Sequence, residues 1–132
     1  MKLTKAQRVQ LKQKFDGNCS YCGEELGERW DADHFIPIKR NWTFKGGKQV
    51  FTDSLNPEND TLENMMPSCK SCNNDKSSLS IESWREMIQN KVVCLNRDST
   101  TYQKAKRYGL VVETNAEVVF YYEKCGYSYG RI

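Results

Sequence analysis

The sequence predicts an α+β fold in one small domain, and three observations carry that reading. Segments with helical apolar spacing stand at both ends of the chain. Stretches with strand character lie between them, and two C-x-x-C pairs, Cys19/Cys22 and Cys69/Cys72, bracket that middle region. A chain of 132 residues suits one domain with one core. Residues from about 15 to 95 are expected to form the core, with 96–132 as a short C-terminal α/β extension.

Residues 4–16 read as a helix. Thr4 and Gln7 match a capping box, Ala6, Val9 and Phe15 give a sparse apolar stripe, and Gly17 is placed to end it. "NCSYCGEEL" follows as a tight knuckle in which Gly23 permits the turn. "ERWDADHFIP" reads as a strand ended by Pro37. "WTFKGGKQVF", residues 42–51, predicts a hairpin turning at Gly46-Gly47, with Trp42 opposite Phe51 and Lys45 opposite Lys48. A long polar loop, "TDSLNPENDTLENMMP", leads to the second knuckle and a short helix. Ser80 is placed to cap a helix over "IESWREMIQNKVVCL". The tail predicts a helix near 99–108 stopped by Gly109, then two strands, "LVVE" and "EVVFYY".

No run of 18 or more apolar residues occurs, which excludes a membrane-spanning helix. The basic N-terminus lacks the apolar stretch of a secretory signal, so a cytoplasmic location is expected. The formal charge of +3 says little about partners by itself. Its distribution says more, because Lys39, Arg40, Lys45 and Lys48 crowd one segment. Two C-x-x-C pairs in a chain with no export signal read as metal ligands or redox motifs. Four thiolates in two knuckles suit a closed, tetrahedral, structural Zn2+ site, while a redox protein would need one such pair in a βαβ setting. That clasp would fasten the DADH strand against the residues after Cys72. Asn73 would then lie near Asp33 and His34. Aspartate and asparagine are hard oxygen donors for Mg2+ or Mn2+, and histidine suits proton abstraction from water. Together they fit phosphodiester hydrolysis.

This order of motifs, C-x-x-C, D-H-x-x-P, a loop asparagine, then C-x-x-C-N-x-x-K, resembles the HNH nuclease family with its ββα-metal fold. The match runs from about Cys19 to Lys76. The resemblance implies a metal-dependent DNA endonuclease with a ββα-metal core clasped by the four-cysteine zinc and flanked by helices. By position, His34 matches the general base, Asp33 the first metal ligand and Asn73 the second. Asn64 matches the asparagine that braces the loop and holds the histidine, and Lys76 matches a lysine near the phosphate or the helix end. Asp31 shares a strand face with Asp33 and is the reserve ligand. Adjacent Asp33 and His34 should point apart on a regular strand, so serving one phosphate requires a bend or an intervening metal. The Gly46-Gly47 hairpin lengthens the segment beyond the family pattern, and Lys45 and Lys48 are expected on DNA phosphates. Cys94 and Cys125 read as small hydrophobes or surface thiols. The tail offers a surface for a homodimer. The competing reading is a zinc-stabilised DNA-binding module without catalysis.

Overall fold

A capping box starts the first helix as the sequence predicts. Gln7 N donates to Thr4 Oγ1 at 3.1 Å, and Thr4 N donates to Gln7 Oε1 at 2.9 Å. A computed structural model of the protein describes residues 1–129. Its elements run α1 (Lys5–Lys12), β1 (Asp31–His34), β2 (Arg40–Lys45), β3 (Lys48–Ser54), β4 (Met65–Ser68), α2 (Lys70–Lys76), α3 (Ile81–Gln89), α4 (Lys91–Asp98), α5 (Thr100–Arg107) and α6 (Tyr121–Lys124). A 3-10 turn, Gln13–Phe15, extends α1, and left-handed Asp16 then turns the chain away.

β1 and β4 form an antiparallel pair, with Asp31 opposite Ser68 and His34 opposite Met65. With α2 following β4 directly, these three elements are the ββα unit. β2 and β3 form a separate hairpin in the predicted register, Trp42 opposite Phe51 and Lys45 opposite Lys48. Its turn puts Gly46 at φ 59° and Gly47 at φ 75°. Two consecutive positive φ values match the twist of the flanking strands, and glycine adopts them at no steric cost.

The described chain divides into two compact units, one from Met1–Ile81 with the stretch from Phe120 onward, the other Glu82–Val119. In the first unit Leu11, Phe15, Tyr21, Leu26, Met65, Met66, Phe120 and Tyr122 are buried. Edge-on ring contacts join Phe35 to Tyr122 at 5.3 Å and Tyr21 to Phe120 at 5.9 Å. Gly23, at φ 81°, has a second duty besides its turn, since a Cβ there would lie 2.9 Å from the Tyr121 ring.

The second unit is α3, α4, α5 and the returning segment. Gln89 holds that segment from both ends of its amide, donating to Ala116 O and accepting from Val118 N, each at 3.0 Å. The helix expected over 81–95 is interrupted at Asn90, where ψ flattens to −5°. Gly109, at φ 73°, follows α5 as predicted.

The two tail strands do not form. Leu110 and Val112 stay exposed, and no strand pairs with residues 110–120. Strand propensity needs a partner edge, and here the apolar run "FYY" is drawn into the first unit instead. Tyr121 N donates to Tyr21 O at 2.9 Å and Tyr122 N to Ser20 O at 2.8 Å, so the tail closes over the first cysteine knuckle. No helix among the described residues is long and apolar enough to cross a membrane.

Candidate metal centre and active site

The first knuckle is shaped by backbone bonds. Cys19 N donates to Glu24 O at 2.8 Å, and Gly23 N donates to Cys19 O at 3.0 Å, folding the loop so that Cys19 and Cys22 share a side. The second is shaped by a helix start. Cys69 caps α2, its Sγ accepting from Cys72 N at 3.4 Å, while Cys69 N donates across to Cys19 Sγ at 3.3 Å. The four Sγ atoms lie within 4.8 Å of one another, and Cys22 and Cys69 approach to 3.9 Å. A Zn–S bond of about 2.3 Å places tetrahedral sulfurs roughly 3.8 Å apart. The cluster therefore could hold a metal ion such as zinc.

Electrostatics points the same way. Hydrogen bonding from the Cys72 thiol holds Cys19 down at about 4, which favours its thiolate form. Cys72 is pushed up mainly because it donates to that thiolate, and burial pushes Cys22 up to about 11. Four sulfurs this close cannot all ionise unaided, since each new charge faces the others. A dication at their centre removes that obstacle, and its binding expels the remaining protons.

The clasp sets α2 along β1. Lys70, Asn73 and Lys76 recur every three residues, so they share one helix face, and each meets the strand. Lys70 Nζ lies 2.7 Å from Asp31 Oδ1, and Asn73 Nδ2 donates to Asp31 Oδ2 at 2.9 Å. Further along, Lys76 Nζ lies 3.1 Å from Asp33 Oδ2 and donates to His34 O at 3.0 Å. Tyr21 Oη also donates to Asp33 Oδ2, at 2.5 Å. Asp33 Oδ1 has no hydrogen bond among the described residues. Burial raises the Asp33 carboxyl, with the Lys76 ammonium pulling the other way.

His34 closes β1, and its Nε2 lies 2.9 Å from Asp60 Oδ1. Asp33 and His34 both line a cleft of about 190 Å³, together with Pro37, Ile38, Arg40, Ser77 and Ser78. The strand ends at His34 and the chain bends at Phe35, so the two neighbours reach one cleft despite strand alternation. Asn64 lies beneath this bend, fully buried. It accepts from Ile36 N at 2.8 Å and donates to Ile36 O at 2.9 Å and Asn59 O at 2.7 Å. Its own carbonyl accepts from Phe35 N at 2.8 Å. One amide thus ties the residues after His34 to the loop that carries Asp60.

Several expectations meet a different arrangement. Lys76 is 0% exposed, and its ammonium is occupied by Asp33 and His34 O, so it supports the strand from inside and offers nothing to a DNA phosphate. The amide of Asn73 meets Asp31, while Asp33 is bonded to Tyr21 and Lys76. Lys45 and Lys48 sit at the hairpin tip, exposed. Asp60, Tyr21 and Arg40 belong to the site without having been singled out for it. Asp60 lies in a polar loop 26 residues beyond His34, with no local pattern to mark it.

Comparison with known proteins finds the following similarities. The HNH endonuclease family model matches residues 19–79, a segment holding both knuckles, β1, β4 and α2. The "SPbeta prophage-derived putative HNH endonuclease YoqL" of Bacillus subtilis (strain 168) is 32% identical over 82 residues, which is 62% of this chain and 33% of that protein. The match thus spans a third of the relative's length. Among solved structures, the crystal structure of the Type II-C Cas9 enzyme from Actinomyces naeslundii aligns with a TM-score of 0.46 and 18% identity, over 81% of this chain and 11% of that one. Residues 19–79 thus match the HNH endonuclease family model, and that segment folds as a ββα unit with its four cysteines gathered at one end.

Proposed function

We propose that the protein is a metal-dependent DNA endonuclease that hydrolyses phosphodiester bonds, with His34 as general base. The observation that carries this reading is the shared cleft of Asp33, His34 and Arg40, which offers a carboxylate, an imidazole and a cation to one phosphate. Zn2+ in the cysteine cluster would be structural, because four sulfur ligands would fill its tetrahedral shell. Asp33 and Asn73 would hold the catalytic cation, Mg2+ or Mn2+, with Asp31 beside Asn73. Hard oxygen donors suit such ions. When bound, the cation neutralises charge on the phosphate and the leaving oxygen.

The protein's own groups do the rest. Asp60 accepts from His34 Nε2–H, which leaves the Nδ1 lone pair as the base. Asn64 and Lys76 are positioning residues that fix the backbone on either side of His34. Water adds to phosphorus, its proton passes to His34, and the bond to the 3′ oxygen breaks, that oxygen taking a proton from solvent water. The products are a 5′-phosphate and a 3′-hydroxyl.

The test is supercoiled plasmid incubated with the zinc-loaded protein and Mg2+ or Mn2+, beside His34→Ala. Nicked or linear product that needs both the added cation and His34 is the expected result. His34→Ala cutting within a few fold of the parent would remove the base assignment. DNA binding without cleavage by the parent would make the protein a binding module.

A further inference from the structure

The β2–β3 hairpin leaves the cleft at Arg40 and is exposed along nearly its whole length. An isolated two-stranded ribbon is marginal in water, and covering one face is the usual remedy. This ribbon covers neither, yet its two faces differ. Cross-strand partners share a face, so Trp42, Phe44 and Phe51 lie on one side and Lys45, Lys48, Thr43 and Val50 on the other. The three rings are 51%, 67% and 61% exposed, and Trp42 meets Phe44 edge-on at 5.3 Å. Aromatic side chains of this size normally dominate cores. Three of them on one open face beside the active-site cleft mark a contact surface.

Charge selects the partner. Residues 39–54 carry Lys39, Arg40, Lys45 and Lys48 against Asp53 alone. The Arg40 guanidinium has no hydrogen bond or ion pair among the described residues, and it faces the cleft that His34 lines. A polyanion answers this pattern, whereas an apolar protein face would leave the cations unpaired. Rings and cations together distinguish among polyanions. Stacking needs the π-face of a base, which a paired duplex covers and an unpaired strand presents.

We propose that the hairpin is a platform for unpaired DNA: Arg40 holds the backbone at the cleft, Trp42, Phe44 and Phe51 stack against splayed bases, and Lys45 and Lys48 engage phosphates at the tip. The strand from Arg40 to Lys45 rises about 3.3 Å per residue, enough to accompany several nucleotides away from the scissile bond. This rests on the nuclease reading and deepens it, naming single-stranded or locally unpaired DNA as the preferred substrate at that site.

The test uses the full chain, zinc-loaded, without added Mg2+ or Mn2+. Fluorescence anisotropy compares a short oligothymidylate with a duplex of equal length, for the parent and for a Trp42→Ala/Phe44→Ala variant. The parent should favour the single strand, and the variant should lose roughly ten-fold or more on it while keeping its duplex affinity. Phe44→Leu, which keeps apolar bulk without a ring, should lose affinity as well. Trp30 and Trp84 are buried, so iodide quenching reads Trp42, and the oligothymidylate should protect it. Equal single-strand affinity in parent and variant would overturn the proposal. So would a parent dimer that the aromatic variant dissolves in sedimentation, because the face would then be a self-interface. Plasmid cutting is scored separately: a parent that cuts with no preference for unpaired regions sinks the platform and leaves the nuclease standing.

Discussion

Lys76→Met tests the interior of the site. Methionine keeps the length and apolar stem of lysine while removing the ammonium. In the parent that ammonium is 0% exposed, 3.1 Å from Asp33 Oδ2 and 3.0 Å from His34 O. Removing it strands a carboxylate whose side chain is 7% exposed. Breaking a buried pair by deleting one partner costs about 3–5 kcal/mol, because the remaining charge is uncompensated. The lost bond to His34 O belongs to the same deletion and is not added to it. Lys70→Ala is the control, since Lys70 is 54% exposed and its pair with Asp31 is a surface pair, worth about 0–1 kcal/mol. Urea unfolding with zinc saturating, followed by tryptophan emission, gives both values from the midpoints at common slope. Lys76→Met is expected about 3–5 kcal/mol below the parent and Lys70→Ala within about 1 kcal/mol of it. Adding Asp33→Asn to Lys76→Met should recover part of the loss, since no charge is then left buried. A Lys76→Met variant within about 1 kcal/mol of the parent would refute the claim that this ammonium is a structural pillar.

The remaining predictions concern the clasp, the brace and the second unit. Cys69→Ser should release zinc and unfold the first unit, because it removes a thiolate ligand while the serine hydroxyl still caps α2; a variant melting with the parent would remove the clasp argument. Asn64→Ala should cost roughly 2–4 kcal/mol, since it strands Ile36 N, Ile36 O and Asn59 O. Its cleavage rate should fall further than its folded fraction, measured at a temperature where the variant is folded. Lys106, with Asn96 and Tyr102, holds the Glu113 carboxyl at about 2. A depressed acid favours the folded state above the ordinary glutamate range and loses that contribution as pH falls toward 2. In Lys106→Met the Glu113 carboxyl resonance should titrate at higher pH than in the parent, and an unchanged midpoint would show that Lys106 is not the cause.

What the sequence made legible was local. C-x-x-C fixes two sulfurs by backbone geometry alone, and Gly46-Gly47 fixes both the turn and the Lys45/Lys48 register. Thr4 and Gln7 close their cap across three residues. The partners reached through the fold left no such mark. Asp60 meets His34 from a loop with no periodicity, and Tyr21 reaches Asp33 from inside the first knuckle. By motif Lys76 belongs near a phosphate or at the helix end; it does end α2, but there it faces β1, where burial and Asp33 claim it. The tail failed for a related reason. "EVVFYY" has strand composition, but its aromatic rings find a better site under Tyr21 and Phe35 than any available strand edge would give.

Strand alternation leaves one choice to the structure: Asp31 and Asp33 both face α2, and either could serve as the carboxylate ligand. Their surroundings separate them. Both oxygens of Asp31 are engaged, one by Lys70 and one by Asn73, and the Lys70 ammonium holds its carboxyl below the usual range. Asp33 commits only Oδ2, to Tyr21 and Lys76, and lines the cleft with His34. A cation reaching Asp31 must displace an ammonium, whereas Asp33 has an oxygen to offer without losing a partner. Calorimetric titration of the zinc-loaded protein with Mn2+ should therefore find Asp31→Asn binding near the parent and Asp33→Asn binding weakly or not at all. The reverse pattern, on proteins that remain folded at the titration temperature, would assign the cation to Asp31 and Asn73. It would also make the Lys76–Asp33 pair purely structural, and the base would then face its metal across the strand rather than within one cleft.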